Sequence, residues 1–312
     1  MSSTTASTRR QPASGRAGDK VFSGLSLGAG ILILIVLACV AIFLVVQAWP
    51  ALIAPASAST GGAGFLAYVW PFVVGTVVAS LIALLLATPI GIGVALFITH
   101  YSHRRVANAL GYVIDLLAAI PSVVYGAWGI AFLAPNLKGP YEWLAENMGW
   151  IPIFAGPASQ TGRTLLTASI VLAVMVLPII TSISRELFLQ VPRLHEEAAL
   201  ALGATRWEMI RMSVLPFARP GIISGVMLGL GRALGETMAV TLVLSSGALT
   251  ASLVKAGNQT IPAEIALNFP EAFGLRMNEL IAAGLVLFVI TLAVNLVARW
   301  IVTRHKEFSG AN

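Results

Sequence analysis

Charged side chains are scarce in this chain. Asp, Glu, Lys and Arg make up only 10% of its 312 residues, against about 25% in a soluble globular domain. That deficit excludes an ordinary water-soluble domain. The 57% of hydrophobic residues and a mean hydropathy of +0.88 indicate an integral membrane protein. Cysteine is nearly missing as well. Cys39 stands alone inside an apolar run, so an internal disulfide is excluded and the Cys/His spacing of a metal centre is lacking. It reads as a small lipid- or helix-facing residue. The pattern Gly-x-x-x-x-Gly-Lys-Ser/Thr does not occur, so the sequence encodes no phosphate-cradling loop for ATP and no enzyme activity is expected of it.

What is present is long apolar runs. Residues 1–24 are rich in Ser, Thr and Ala and carry Arg9, Arg10, Arg16 and Lys20, which predicts a disordered cytoplasmic tail. Residues 25–46 hold no charge and would span about 33 Å as a helix, enough for a bilayer core. That run exceeds a signal-peptide core, so a retained helix is expected. Further apolar blocks run over 71–99, 106–134, 165–184, 217–244 and 280–302. The expected fold is all-α, with six transmembrane helices over 25–302 and a short tail over 303–312. The third block contains Asp115, Pro121 and Gly126; the proline predicts a kink that frees backbone carbonyls. Asp115 reads as a gate or as an interior acid satisfied by a neighbouring helix. Two long loops remain. Residues 135–164 carry Tyr141, Trp143 and Trp150, which suits a segment lying on the membrane surface; residues 247–277 are small and polar.

The basic residues set the orientation. With the N-terminus inside, 14 Lys and Arg fall on the cytoplasmic side and 4 outside. The positive-inside rule therefore predicts both termini in the cytoplasm. The net charge of +6 is topogenic on this reading, and a nucleic-acid partner is not expected.

Arg232 belongs to neither side. It falls inside the fifth block, four residues before Glu236. A charge at bilayer depth costs about 2.5–3.5 kcal/mol on insertion scales, so it is seldom retained without a use. On a continuous helix Gly225, Gly229, Arg232 and Glu236 share one arc of about 60°. Gly225 and Gly229 would let a second helix approach closely, and Gly231 with Gly235 would form another close-packing face. Arg232 is then expected to meet a permeating anion, since a guanidinium matches an oxyanion in bidentate geometry, with Glu236 tuning it. Hydrogen phosphate can donate its proton to a carboxylate and sulfate cannot, which favours phosphate. The competing reading is an Arg–Glu pair that only orders the bundle.

Between the fourth and fifth blocks lies a polar stretch, about 185–216. Residues 196–202 predict a short helix after Pro192 that stops at Gly203. A second short helix is expected through Arg211, ended by Pro216. Glu197, Ala198, Ala199, Gly203, Leu215 and Pro216 match the EAA loop of ABC importer permeases, with Ser213 where isoleucine is usual. Together with Leu228–Val240, Leu117–Gly126 and Gly18-Asp19…Phe22, these residues resemble the PstC-type permease subunits of phosphate-specific ABC importers. The resemblance covers nearly the whole chain from Gly18. It implies a type I ABC importer permease fold in the bacterial plasma membrane, a PstA-like sister permease, a PstB-like ATPase dimer binding ATP and Mg, and a PstS-like phosphate-binding protein. It also implies that the EAA loop couples to the ATPase and that Arg232 and Glu236 act in translocation. A permease for sulfate or molybdate, an anion channel or ion-coupled transporter, and a phosphate-sensing scaffold stay open as alternatives.

Overall fold

The computed structural model describes residues 16–306 apart from 61, 246 and 249, and the side chains of 18–300 apart from the same three. Among the described residues every regular element is helical. The chain divides after Gln47 into two units.

The first unit is helix α1 (Arg16–Ile53) as far as Gln47. Its apolar side chains are exposed nearly throughout, Cys39 among them. The helix starts inside the segment expected to be a disordered tail, so residues 16–24 are helical. Asp19 in the first turn favours that start by facing the positive end of the helix dipole. Residues 1–15, the rest of the expected tail, lie outside the described residues.

The second unit is built on α2 (Phe65–Leu96), α6 (Leu165–Leu189) and α9 (Leu215–Leu234). Ala79, Ala83, Ala87, Gly91 and Ala95 recur every fourth residue of α2 and are all buried. Such a stripe of small residues lets backbones approach until dispersion contacts hold them, which is how helices associate where lipid removes the hydrophobic drive. A Cβ on Gly91 would stand 3.1 Å from Ile180 and 3.2 Å from Thr181 of α6. Leu172, Val176 and Ile180 of α6 fill the core this stripe closes. Hydroxyls within the spans bond back to their own helix, as Thr76 does to the Phe72 carbonyl at 2.6 Å and Thr181 to Leu177 at 2.8 Å. That satisfies their protons within the helix, and the Thr76 oxygen also accepts the Ile261 N–H at 2.9 Å.

Among the described residues five helices are long and apolar enough to cross a membrane, and a bent pair brings the total to six. The bent pair replaces the expected third span. Its first arm, α3 (Arg104–Ala118), ends before Pro121. The second arm is α4 (Ser122–Trp128), a π-helical turn over Gly129–Leu133, and α5 (Ala134–Met148). The arms meet at 93°. The proline cannot donate to the preceding turn, and the Tyr125 hydroxyl donates to the freed Leu117 carbonyl at 2.8 Å. Much of the expected 135–164 loop is therefore helix α5. Tyr141 is buried, bonded to Thr167 at 2.7 Å, whereas Trp143 and Trp150 are exposed.

Between α6 and α9 lie α7 (Arg193–Ala201) and α8 (Arg206–Met209). A π-helical turn over Ile210–Val214 joins α8 to α9 without a break. Pro216, expected to end a helix, sits in the first turn of α9, directly after the π-helical turn, and the helix runs on through it. After α9 come α10 (Met238–Val243), α11 (Ile261–Asn268) and α12 (Leu275–Lys306). The last helix enters the expected C-terminal tail as far as Lys306; residues 307–312 lie outside the described residues.

Candidate functional site

The expected charged helix is interrupted between its two charges. Helix α9 stops at Leu234, and Gly235, Glu236 and Thr237 lead into α10. Gly231 and Gly235 weaken the helix here. Glu236 completes the break: its Oε1 accepts the Ala239 N–H at 3.0 Å, an N-terminal capping bond that competes with helix continuation. Arg232 and Glu236 consequently do not share one helical arc. Glu236 is buried at 9% exposure. Arg232 is exposed and lines a groove of about 1190 Å³ between α9 and α12. Among the described residues the two form no ion pair.

The glycines separate in the same way. A Cβ on Gly225 would come within 2.9 Å of Ile183, and one on Gly229 within 2.6 Å of Val176. Both glycines face α6, as a close-packing stripe requires. A Cβ on Gly231 would meet no atom within 4 Å, and one on Gly235 would meet only the Gly231 carbonyl at 3.6 Å. The expected second packing face is therefore unoccupied among the described residues, and Gly231 forms a low wall of the Arg232 groove.

Helix α10 is held against α4 at another glycine. A Cβ on Gly126 would lie 2.7 Å from the Ala239 Cα. This contact fixes the residue that Glu236 caps. Asp115 on α3 is exposed and faces α6: the Ser182 hydroxyl donates to it at 3.3 Å, and Arg185 lies 3.9 Å away.

The second candidate surface gathers around α7. Ala198, Ala199, Gly203, Leu215 and Pro216 line one cleft of about 1270 Å³. Glu197 lies outside the lining and is exposed. Gly203 has φ +84°. It donates to the Leu200 carbonyl at 3.0 Å, and Ala204 donates to Ala199 at 3.2 Å. This double closure around a left-handed residue ends a helix with its carbonyls satisfied, and glycine takes it at least cost. Thr205 and Glu208 then form a reciprocal capping box that starts α8. Two contacts tie α7 to its neighbours. The Ser213 hydroxyl donates to the His195 carbonyl at 3.3 Å, which gives the unusual serine a partner. His100, beyond the end of α2, places Nε2 3.5 Å from Glu196.

A third constellation was not expected. Arg276 at the start of α12 donates to Glu264 of α11 at 2.8 Å and lies 3.6 Å from Glu279. Its guanidinium stands 4.8 Å over the Tyr68 ring. The Tyr68 hydroxyl donates to Glu264 at 3.0 Å, and Thr60 donates to Glu279 through its N–H, at 2.8 Å, and through its hydroxyl. Glu279 is 1% exposed. Thr60 and Tyr68 lie some 200 positions from Glu279 and Glu264, so no local pattern announces those contacts; only the Arg276–Glu279 pair, three residues apart, is local.

Long apolar helices, a helical loop between two spans and a cationic groove between two others define a multi-pass permease. A family model for the binding-protein-dependent transport system inner membrane component matches residues 87–307, and the chain belongs to that family. It is 45% identical over 297 residues to the phosphate transport system permease protein PstC 2 of Mycobacterium tuberculosis, covering 91% of each chain. It is 42% identical over 310 residues to PstC of Mesorhizobium japonicum, covering 94% of this chain and 92% of that one. Among solved structures it resembles a bacterial alginate ABC transporter crystallised with its pentasaccharide-bound periplasmic protein. The TM-score is 0.64 at 19% identity, covering 92% of this chain and 96% of that one. The fold is that of an ABC importer permease, in a multi-pass protein of the bacterial inner membrane.

Proposed function

We propose that this chain is the permease subunit of an ATP-driven importer of inorganic phosphate. The observation that carries the reading is the identity of 42–45% to two PstC permeases over more than nine-tenths of each chain. Both termini lie in the cytoplasm, as the basic residues require. A PstA-like permease completes the pathway on the open Gly231 side of α9. A PstS-like protein delivers phosphate from outside. A PstB-like ATPase dimer binds ATP and Mg, and this chain hydrolyses nothing itself. Sulfate and molybdate permeases share the oxyanion problem; the names of the relatives decide for phosphate.

Each part has a physical role. The α7 cleft receives the ATPase through Glu197, Ala198 and Ala199, with Gly203 fixing the direction in which α7 leaves. Because α7 is tied to the ends of α2 and α9, ATPase closure gives different contacts in two states. Differential contact is what lets a remote ligand bias a conformational equilibrium. Arg232 meets phosphate in the groove. Glu236 holds the loop between α9 and α10 and contributes the negative charge that distinguishes hydrogen phosphate from sulfate. Asp115 and Arg185 form the gate between α3 and α6.

The test is uptake of labelled phosphate by the reconstituted four-component importer. Arg232→Gln should lower uptake by about tenfold or more, the usual worth of a hydrogen bond to a charged group, while the complex still assembles. Wild-type uptake by that variant would remove Arg232 from the pathway.

A further inference from the structure

The groove that holds Arg232 holds a second guanidinium. Arg299 of α12 lines the same cleft, with Asn295 one turn before it and Ser224 on the α9 wall. No carboxylate lines this cleft. The ion pairs among the described residues join His100 to Glu196, Arg185 to Asp115, and Arg276 to Glu264 and Glu279. None involves Arg232 or Arg299. Both cations therefore face one space, otherwise apolar apart from Asn295 and Ser224, with no acid to balance them.

Like charges facing a cleft of low polarity raise each other's energy, and an anion between them relieves it. The lining of α9 from Ser224 to Arg232 rises about 12 Å, and that of α12 from Leu292 to Arg299 about 10 Å. This length suits one small oxyanion moving between two stations better than one anion clamped by both arginines. The neutral groups are also the right kind. The Asn295 amide donates to an oxyanion. Ser224 gives its proton to the Pro220 carbonyl at 3.1 Å, which leaves its lone pairs to accept from the P–OH of hydrogen phosphate. Glu236, turned into its cap, takes no part in this lining.

We propose that the α9–α12 groove is a two-station site for a phosphate-type oxyanion, with Arg232 at one station and Arg299 with Asn295 at the other. This rests on the phosphate-permease reading and adds a substrate-contacting residue to it. A lipid phosphodiester presents the same chemistry as free phosphate, so the experiment must separate the two sources.

Wild type, Arg232→Gln, Arg299→Gln and Arg299→Lys are reconstituted with the partner subunits in vesicles of phosphatidylcholine alone, and again with phosphatidylglycerol added. Labelled phosphate uptake is measured at several phosphate concentrations. Arg299→Gln is expected to lower uptake about tenfold at low phosphate in both vesicle types, with Arg299→Lys intermediate because it keeps charge but loses the bidentate fork. A loss confined to phosphatidylglycerol vesicles supports the station with a headgroup as occupant. Wild-type uptake by Arg299→Gln in both vesicle types, with Arg232→Gln still impaired, overturns the second station and leaves the permease reading standing. Wild-type uptake by both variants sinks the shared premise that this groove carries phosphate.

Discussion

Replacing Arg276 with glutamine should destabilise the protein more than the same change at Arg232, Arg299 or Glu236. The side chain is one-quarter exposed and serves two carboxylates, Glu264 at 10% and Glu279 at 1% exposure. A pair of unit charges about 4 Å apart attracts by about 4 kcal/mol at an effective dielectric of about 20. Desolvation offsets much of that attraction while the pair is intact. Removing one partner leaves the desolvation cost in place, and measured losses for buried pairs run to about 3–5 kcal/mol. Here the residual partners reduce the penalty: Glu264 keeps the Tyr68 hydroxyl, and Glu279 keeps both Thr60 donors. The expected loss is therefore about 3 kcal/mol, at the low end of that range.

Heat- or urea-induced unfolding of the purified protein in detergent would read it. A fall of roughly 5 °C in melting temperature corresponds to that loss across 312 residues. A double change supplies the internal control. Adding Glu264→Gln to Arg276→Gln removes one of the stranded charges and should recover about 1–2 kcal/mol, a coupling of the size seen between residues in direct contact. Unchanged melting of Arg276→Gln, or a double variant no more stable than the single one, would refute the idea that the arginine neutralises this cluster.

Two further changes probe the other surfaces. Gly203→Val has open space for its side chain, so its cost is the strain of a β-branched residue at φ +84°, about 1–2 kcal/mol; phosphate moved per ATP hydrolysed should fall, while the purified complex keeps its basal ATPase rate. Glu236→Gln keeps an oxygen to accept from Ala239 and should leave stability nearly unchanged while lowering the phosphate-to-sulfate uptake ratio, whereas Glu236→Ala also loses the cap and about 1 kcal/mol; an unchanged ratio in Glu236→Gln would remove the charge argument.

Local chemistry was legible in the sequence where it acts over a turn or two. The six apolar blocks, the kink at Pro121 and the stop at Gly203 all depend on neighbours within a few positions, and each is present in the structure. The stripe of Ala79, Ala83, Ala87, Gly91 and Ala95 carries a comparable signal in its four-residue spacing, although the expectations from sequence did not include it, and its partner α6 is given by the structure alone. The wheel through residues 225–236 failed because it assumed an unbroken helix. Its own residues carried the warning: two glycines four apart, then a glutamate able to accept from the N–H three residues on. Of the Tyr68, Glu264, Arg276 and Glu279 cluster only the Arg276–Glu279 spacing of three was local; packing alone brings Tyr68 and Glu264 to it. The Arg232 and Arg299 groove is hidden for the same reason, with α10 and α11 intervening in the chain.

The break after Leu234 changes what the two charges of that segment can do. Had the helix continued, Glu236 would stand one turn from Arg232 on the same face, and the pair could neutralise itself in the absence of substrate. With Glu236 turned into the α10 cap, no acid among the described residues pairs with Arg232, and on the proposed reading a mobile anion neutralises it. A groove that is cationic when empty attracts an oxyanion and repels a cation, so the same backbone break that disables the internal pair gives the groove its sign. On that reading the hold on α10 and the direct contact with the anion draw on different residues. Glu236 and Gly126 hold α10 in place, and Arg232 remains free to bind and release. Tight pairing at Arg232 would lower the energy of the resting protein while raising the barrier to passage, and the geometry avoids that conflict.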